Sequence, residues 1–557
     1  MSRKSAFVAA ACCLLLPALR AQESRGSITG QTIDAAGAIV PRVKITATNA
    51  ATNVAVSATT NSTGNYTIFY LTPGTYQLTA SLAGFATIER NGIEVRVGDK
   101  LEVNFQMQPS AVITSVQVTA DAPLLQTETA STGTVIDQRQ ILELPLPYGN
   151  PFMLTTLAPG VVFTAANMLQ IRPFDNSVVA NIRVDGAPGG SEFTLDGAPN
   201  TGTTRGVQKG SQVAYVPPAE AVQEFKMETS SFDARQGHAP GAAVNVSVRS
   251  GTNQLHGTGW EFTRPGSLVA NDFFLKRSGQ TPTSLQLHRF GAAIGGPVYL
   301  PKLYNGKNRT FFFFAYENMM LDQPNTSIQT VPTAAQRQGD FSSLLAQNIV
   351  IYDPTTAVSA SGGRIQRTPF AGNIIPSGRL SSIALNVLKY YRLPNAAGDA
   401  QGSNNYVSNG TNIDRFHSEI ARVDQTFNEK NRFFARLHRN FRNSPSTGWD
   451  GEINGINPTQ GLGYRGNAGL GLNHVYAASA TDLIAINAGI TRYYVGSGRM
   501  AEGFDPASLG FPASTVALFS GFKYFPSFAP SGYAGVGASG GDFQADNIFF
   551  LEPTYTK

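Results

Sequence analysis

Strict period-two alternation constrains this chain more than any other feature. Leu101, Val103, Phe105 and Met107 alternate with Glu102, Asn104 and Gln106, and Ile93, Val95 and Val97 alternate with Glu94 and Arg96. Val43, Ile45 and Ala47 repeat the pattern, as do Tyr76, Leu78 and Ala80. Far downstream, Phe433, Ala435, Leu437, Arg439 and Phe441 share one face of a segment. Its other face carries Arg432, Phe434, Arg436, His438 and Asn440. A period of two with one apolar face specifies half-buried antiparallel strands. After the first few tens of residues no stretch is apolar enough, for long enough, to form a spanning helix, which takes about 20 residues.

The start of the chain reads as an export signal. Arg3 and Lys4 precede an apolar run from Ala6 to Leu16, Pro17 breaks it, and Ala21 offers a small residue before Gln22. This layout predicts a secretory signal peptide over 1–21. The only cysteines, Cys12 and Cys13, lie within that run, so the mature chain is expected to carry neither disulfides nor thiolate metal sites. Charged residues make up 14% of the chain, below the ~25% usual in soluble domains. With 56 Gly, 34 Phe and 19 Tyr, such a chain suits a β-rich wall or a secreted β-sandwich array. The net charge of +5 is thinly spread, with no Lys/Arg block, and gives no support for nucleic-acid binding.

From Gly26 to Gln108 the alternating runs are separated by turn signals at Asn61–Asn65, Pro73-Gly74 and Gly98-Asp99. Short strands at this spacing predict a small β-sandwich. The segment Gly64-Asn65-Tyr66, Leu71-Thr72-Pro73-Gly74-Thr75-Tyr76 and Gly84-Phe85, with the opening Gly26-Ser27-Ile28-Thr29-Gly30, resembles the carboxypeptidase regulatory-like family. That resemblance implies an accessory immunoglobulin-like or carbohydrate-binding-like domain over 22–108, without a peptidase site. No His lies in this module, which makes a zinc site there implausible.

The linker, 109–133, contains Ser115, Val116, Gln117, Val118, Thr119 and Ala120, followed by Asp121-Ala122-Pro123-Leu124. This hexapeptide resembles the TonB box of outer-membrane receptors. A β-prone segment suits strand addition, because backbone hydrogen bonds supply affinity with little sequence demand. The same residues also read as the last strand of the first sandwich. Next come a strand, Thr134–Asp137, and a helical turn ending at Leu144-Pro145. A second helical stretch covers Asn150–Val161. Phe193-Thr194-Leu195-Asp196-Gly197-Ala198-Pro199 follows, then Pro217-Pro218-Ala219-Glu220-Ala221-Val222-Gln223-Glu224-Phe225-Lys226. The series closes with Gly241-Ala242-Ala243-Val244-Asn245-Val246-Ser247-Val248. In this order the fragments resemble the plug domain of TonB-dependent receptors, in the Oar-like branch with an N-terminal regulatory-like domain. The resemblance implies a plug over 134–253, with Asp196, Gly197, Glu224, Gly241 and Asn245 as its motif residues.

Beyond 254, Leu255–Phe262 and the Gly295-Gly296-Pro297 segment resemble the opening barrel strands of the same family. Further strands are expected at Thr310–Asn318, Arg415–Phe427, Arg432–Phe441, Gly466–Tyr476 and Asp482–Val495. A long loop from Gln323 to Arg415 is expected to hold a short helix, Ser381–Tyr391. Seven strands cannot close around a plug, since plugged transporters use about 22, and an open edge in lipid is costly. The chain therefore reads as the N-terminal portion of a longer receptor, or as the product of a truncated gene. The expected class is mainly β: an immunoglobulin-like sandwich, an α+β plug, and the antiparallel transmembrane strands of a partial barrel over 254–557.

No catalytic apparatus is legible, and no cofactor or metal is expected. Gly537-Ala538-Ser539-Gly540-Gly541 fits a nucleophile elbow, but that chemistry needs a later His and the last is His474. Gly535–Gly540 also fits a dinucleotide fingerprint, without the strand and helix it requires. His238, His256, His288, His417, His438 and His474 show no helical metal-site spacing. The resemblance implies uptake of a bulky solute (oligosaccharide, peptide or metal chelate) across the outer membrane. Ligand binds outside, the plug shifts, and the TonB complex pulls the box from the periplasm, where the N-terminal domain lies. The alternative is a secreted or surface-attached β-sandwich adhesin without transport activity.

Overall fold

In a computed structural model, the structure describes residues 25–109, 115–119, 132–163, 171–174, 182–186, 190–203, 211–230, 241–270, 285–399, 402–446, 448–479, 482–499, 501–519, 523–537, 541 and 543–556. The expected signal peptide, Ala120 and much of the linker lie outside them.

The alternating runs of the first module become two packed sheets. One joins β1 (Gly26–Asp34) to β4 (Asn65–Leu71), β7 (Lys100–Glu102) and β8 (Phe105–Met107). The other runs β3 (Ala55–Thr59), β2 (Lys44–Asn49), β5 (Gly74–Ser81), β6 (Thr87–Val95) and β9 (Ser115–Thr119). The apolar members of each run fill the space between the sheets: Val43, Ile45, Leu78, Ile93, Val97, Phe105 and Met107 are all buried. Lys44, Glu94, Glu102 and Gln106 face solvent, as period-two patterning requires.

The middle module is a mixed five-stranded sheet, ordered β10 (Thr132–Asp137), β13 (Val222–Ser230), β14 (Ala243–Val248), β11 (Glu192–Leu195) and β12 (Ala198–Pro199). Asp137 ends β10 and caps α1 (Gln138–Glu143) through a reciprocal box with Gln140. The second helical stretch is a 3-10 helix, Pro151–Leu157, shorter than the expected Asn150–Val161. Thr155 and Thr156 each donate a hydroxyl to the carbonyl three residues back, which favours the tighter winding. Val161–Val162 is extended instead. Phe152 packs on Phe193 and Phe225 at 5.1 and 5.9 Å between ring centroids, at the centre of this core.

The long strands that follow form one antiparallel sheet in sequence order: β15 (His256–Arg264), β16 (Gln286–Pro297), β17 (Thr310–Gln329), β18 (Tyr406–Asn428), β19 (Asn431–Ser446), β20 (Gly461–Ala477), β21 (Leu483–Arg499) and β22 (Phe543–Thr556). Eight strands are present where seven were legible, the extra one being β22. Strands β17 and β18 also continue far into the expected loop, which shrinks to 330–405 and contains the helix Ser382–Leu388. Outward-facing Phe314, Val423, Leu437, Ile490, Phe549 and Leu551 are exposed apolar side chains. Inward-facing Arg289, Glu317, Arg422, Arg436 and His438 are buried. This apolar-out, polar-in pattern is that of a membrane wall. No helix of the described residues is long and apolar enough to cross a membrane.

Connections alternate in length. Residues 298–309, 429–430 and 478–482 are short turns at one end of the wall; 330–405, 447–460 and 500–542 are long loops at the other. The sandwich sits at the short-turn end. Asn253 donates its backbone N–H to the Ala51 carbonyl (3.0 Å), Arg432 reaches the Tyr70 carbonyl (3.1 Å), and Arg25 reaches Asn473 Oδ1 (3.0 Å). At the opposite end the long loops share an apolar core of Val331, Val387, Tyr391, Leu509, Phe525 and Val536.

Candidate functional site

The middle module presses its sheet against the inward face of the wall, and the Asp196-Gly197 turn is one point of engagement. Asp196 (φ +49°) and Gly197 (φ +80°) both take left-handed backbone, which reverses the chain sharply between β11 and β12. The turn aims the Asp196 carboxylate at the wall. One oxygen accepts from Arg422 Nη1 (3.0 Å) and from the Val248 N–H (2.9 Å); the other accepts from Arg436 Nη1 (2.6 Å). All three side chains are 5% exposed or less. Arg422 has a second carboxylate in Asp424 (2.8 Å), and Arg436 also donates to the Leu195 carbonyl (2.6 Å).

Asn245 lies one strand away. Its Oδ1 accepts from the Thr194 hydroxyl (2.8 Å), tying β14 to β11 beneath the turn. Gly241 lies two residues before that strand, and a Cβ there would come within 2.6 Å of the Gly190 carbonyl oxygen. Only glycine allows that approach. Asp196, Gly197, Gly241 and Asn245 are thus brought together around β11 and β14.

Glu224 stands apart from them, on β13 facing the sandwich. Its carboxylate accepts the Val97 N–H of the first module. Burial pushes its pKa up to about 7, against the Val97 hydrogen bond, which pulls it down. Asp99 and Glu94 add negative charge nearby and Arg96 offsets part of it. Lys226 lies beside Gly98 and pairs with Glu228 at 3.4 Å. The Asp99 carboxyl is likewise raised, chiefly by burial. A group raised on docking favours the docked state while protonated. That contribution is complete below the ordinary carboxylate range and is lost as pH climbs through about 7. Amide exchange at Val97, corrected for intrinsic rate, is therefore expected to show protection at pH 5.5 that falls by pH 8.5. Glu224→Gln should flatten this difference; an unchanged profile in that variant would remove Glu224 as its source.

The hexapeptide Ser115–Ala120 is described as far as Thr119. Ser115–Thr119 forms β9, parallel to β6, with Ser115 opposite Thr87 and Thr119 opposite Asn91. It is the terminal strand of its sheet, so one backbone edge is paired and the other is not part of that sheet.

Residues that sequence reading left unassigned line the inward face of the wall and its contact with the module. Glu317 accepts from Arg289 Nε (2.9 Å) and Nη2 (2.6 Å), and Glu317 is 1% exposed. Tyr215 donates to the Glu419 carbonyl (3.1 Å), shares a hydrogen bond with Ser418, and lies 4.4 Å from the His438 ring. Its phenol is raised by burial and is neutral at physiological pH. His438 faces inward, as the alternation predicted. Among the described residues no group of three or more His, Cys, Asp or Glu could hold a metal.

Residues 247–557 match the family model described as an outer membrane beta barrel domain. The chain belongs to that family. Its eight strands are barrel-wall strands, and the protein is one of the outer membrane. Residues 27–108 match the carboxypeptidase regulatory-like domain. The chain is 26% identical over 310 residues to the TonB-dependent transporter Oar of Myxococcus xanthus, covering 54% of this chain and 28% of that protein. It thus spans little more than a quarter of the curated relative it matches. Among solved structures it is similar to the outer membrane transporter YddB from Escherichia coli (TM-score 0.41, 9% identity, 67% of this chain, 40% of that one). A ferric enterobactin receptor mutant from Pseudomonas aeruginosa gives a TM-score of 0.36 at 12% identity, covering 68% of this chain and 43% of that one.

Proposed function

We propose that this barrel-family chain acts as a TonB-dependent outer-membrane receptor, without catalysis of its own, in the uptake of a bulky solute such as an oligosaccharide, a peptide or a metal chelate. In this reading residues 134–253 are the plug, 22–108 lie in the periplasm at the short-turn end, and the long loops face outward. The observation that carries it is the Asp196 clamp. A module whose Asp196 turn is held by two buried arginines on the inward face of a barrel wall is suited to obstructing the lumen. It is also placed to move when that clamp is loaded from the outside.

Ser115–Ala120 is the segment offered to the TonB complex. As a terminal strand, β9 can present a backbone edge for strand addition, or peel from β6 under load. Deleting Ser115–Ala120 should abolish energised uptake while leaving binding at the cell surface intact. The measurement is accumulation of labelled oligosaccharides, peptides and ferric chelates in cells, beside their surface binding at 4 °C. Undiminished accumulation in the deletion would refute the box assignment.

A further inference from the structure

Above the Asp196 clamp, where the lumen opens toward the long loops, the inward face becomes strongly basic. Arg442 on β19 and Arg465 on β20 are direct cross-strand partners. Like charges placed opposite one another destabilise a sheet. The middle module adds a third guanidinium, Arg172. One carboxylate, Asp414 on β18, serves two of the three: it accepts from Arg172 Nη1 (2.8 Å) and from Arg442 Nε (2.6 Å). Arg465 donates to the carbonyl of Phe174, and its Nε is buried without a hydrogen-bond partner. Among the described residues Asp546 on β22 is a second acid of this inward face, and one of its carboxylate oxygens is itself buried without a partner. The Phe174 ring forms the floor, with the Arg442 and Arg172 guanidiniums 4.0 and 4.8 Å from its centroid.

We infer that Arg442, Arg465 and Arg172 form an anion-binding subsite at the outer mouth of the lumen, for a solute carrying carboxylate or phosphate groups. Three planar forks converge on one place, and guanidinium geometry matches both oxyanions bidentately. Cation–π contact with Phe174 fixes the orientation of two of the forks before any ligand arrives. An anion opposite Arg465 would relieve the cross-strand repulsion. This assignment rests on the receptor reading and narrows its solute to an anionic one.

The test uses the full chain in detergent micelles, titrated calorimetrically at low salt with inorganic pyrophosphate and with citrate. Both probes are expected to bind the unaltered chain, and more weakly as salt is added. Arg465→Gln and Arg172→Gln should each weaken binding about tenfold or more, the effect of losing one charge-assisted hydrogen bond. Arg439→Gln, on the outward face of β19, should leave binding unchanged. If Arg465→Gln loses its β-sheet circular dichroism, Arg172→Gln, on the module rather than the wall, decides alone. Absence of binding by both probes, or equal binding by a folded Arg→Gln variant, overturns the subsite. Uptake that still depends on Ser115–Ala120 would then leave the receptor reading standing. Anion binding by a chain that never fractionates with the outer membrane would do the reverse.

Discussion

Asp196→Ala should destabilise the assembly of module and wall by about 3–5 kcal/mol, because it strands a buried charge rather than trimming a contact. Among the described residues Arg436 pairs with no other carboxylate, whereas Arg422 keeps Asp424. The effect is therefore directional. Arg436→Met leaves Asp196 with Arg422 and the Val248 N–H, and is expected to cost clearly less. Replacing Asp196, Arg422, Arg436 and Asp424 together by apolar residues of similar volume should recover most of the loss, since a buried ion cluster is costly to break but not to remove whole. Urea unfolding in micelles, followed by the fluorescence of Trp260 and Trp449, measures the series. Equal losses for Asp196→Ala and Arg436→Met would show that the carboxylate does not hold two charges at once.

Arg289→Met is the second large effect, again on the order of 3–5 kcal/mol. Glu317 sits on the inward face of β17 with Arg289 as its ion-pair partner, and both side chains are almost fully enclosed. Removing the cation leaves a carboxylate that must either stay charged in an enclosed site or take up a proton. Protonation at low pH removes the stranded charge, so the defect should shrink on acidification. Paired urea titrations at pH 5 and pH 8 read this out. A loss that does not change between them would place its origin in packing rather than in charge. Arg289→Lys keeps the charge but gives up the two-pronged contact, and should fall between the two.

How much of this was legible follows from where the information sits along the chain. The sandwich was readable because each strand declares its own buried face: Val43, Ile45 and Ala47, or Leu101, Val103 and Phe105, need no knowledge of the partner strand. The faces of β19 were readable for the same reason. Strand β22 was not, because Asp546, Asn547, Glu552 and Pro553 interrupt its pattern. Pro324 is tolerated in β17 because β16 ends opposite Asp322, so beyond that point β17 pairs only with β18. The site residues divide along the same line. Asp196-Gly197 shows locally as a turn, but nothing near it in sequence points to Arg422, which meets it across more than two hundred residues. The useful hint was present in principle: in a chain with few charges, an arginine on the inward face of a strand needs a counter-charge.

The shared core of the long loops has a consequence for how the outer surface moves. Val331, Tyr391, Phe525 and Val536 belong to loops that enter and leave different strands, yet they bury one another. The Tyr391 hydroxyl donates to the Ala534 carbonyl (2.6 Å) and the Trp449 indole to the Gly535 carbonyl (3.0 Å), stitching three loops together. Loops tied in this way do not fluctuate as separate fingers. They behave as one cooperative unit, whose amides should exchange together and whose opening is close to all-or-none. In the proposed receptor, access to the lumen is then governed by a single conformational equilibrium, and a solute that wedges any one loop apart loosens its neighbours too.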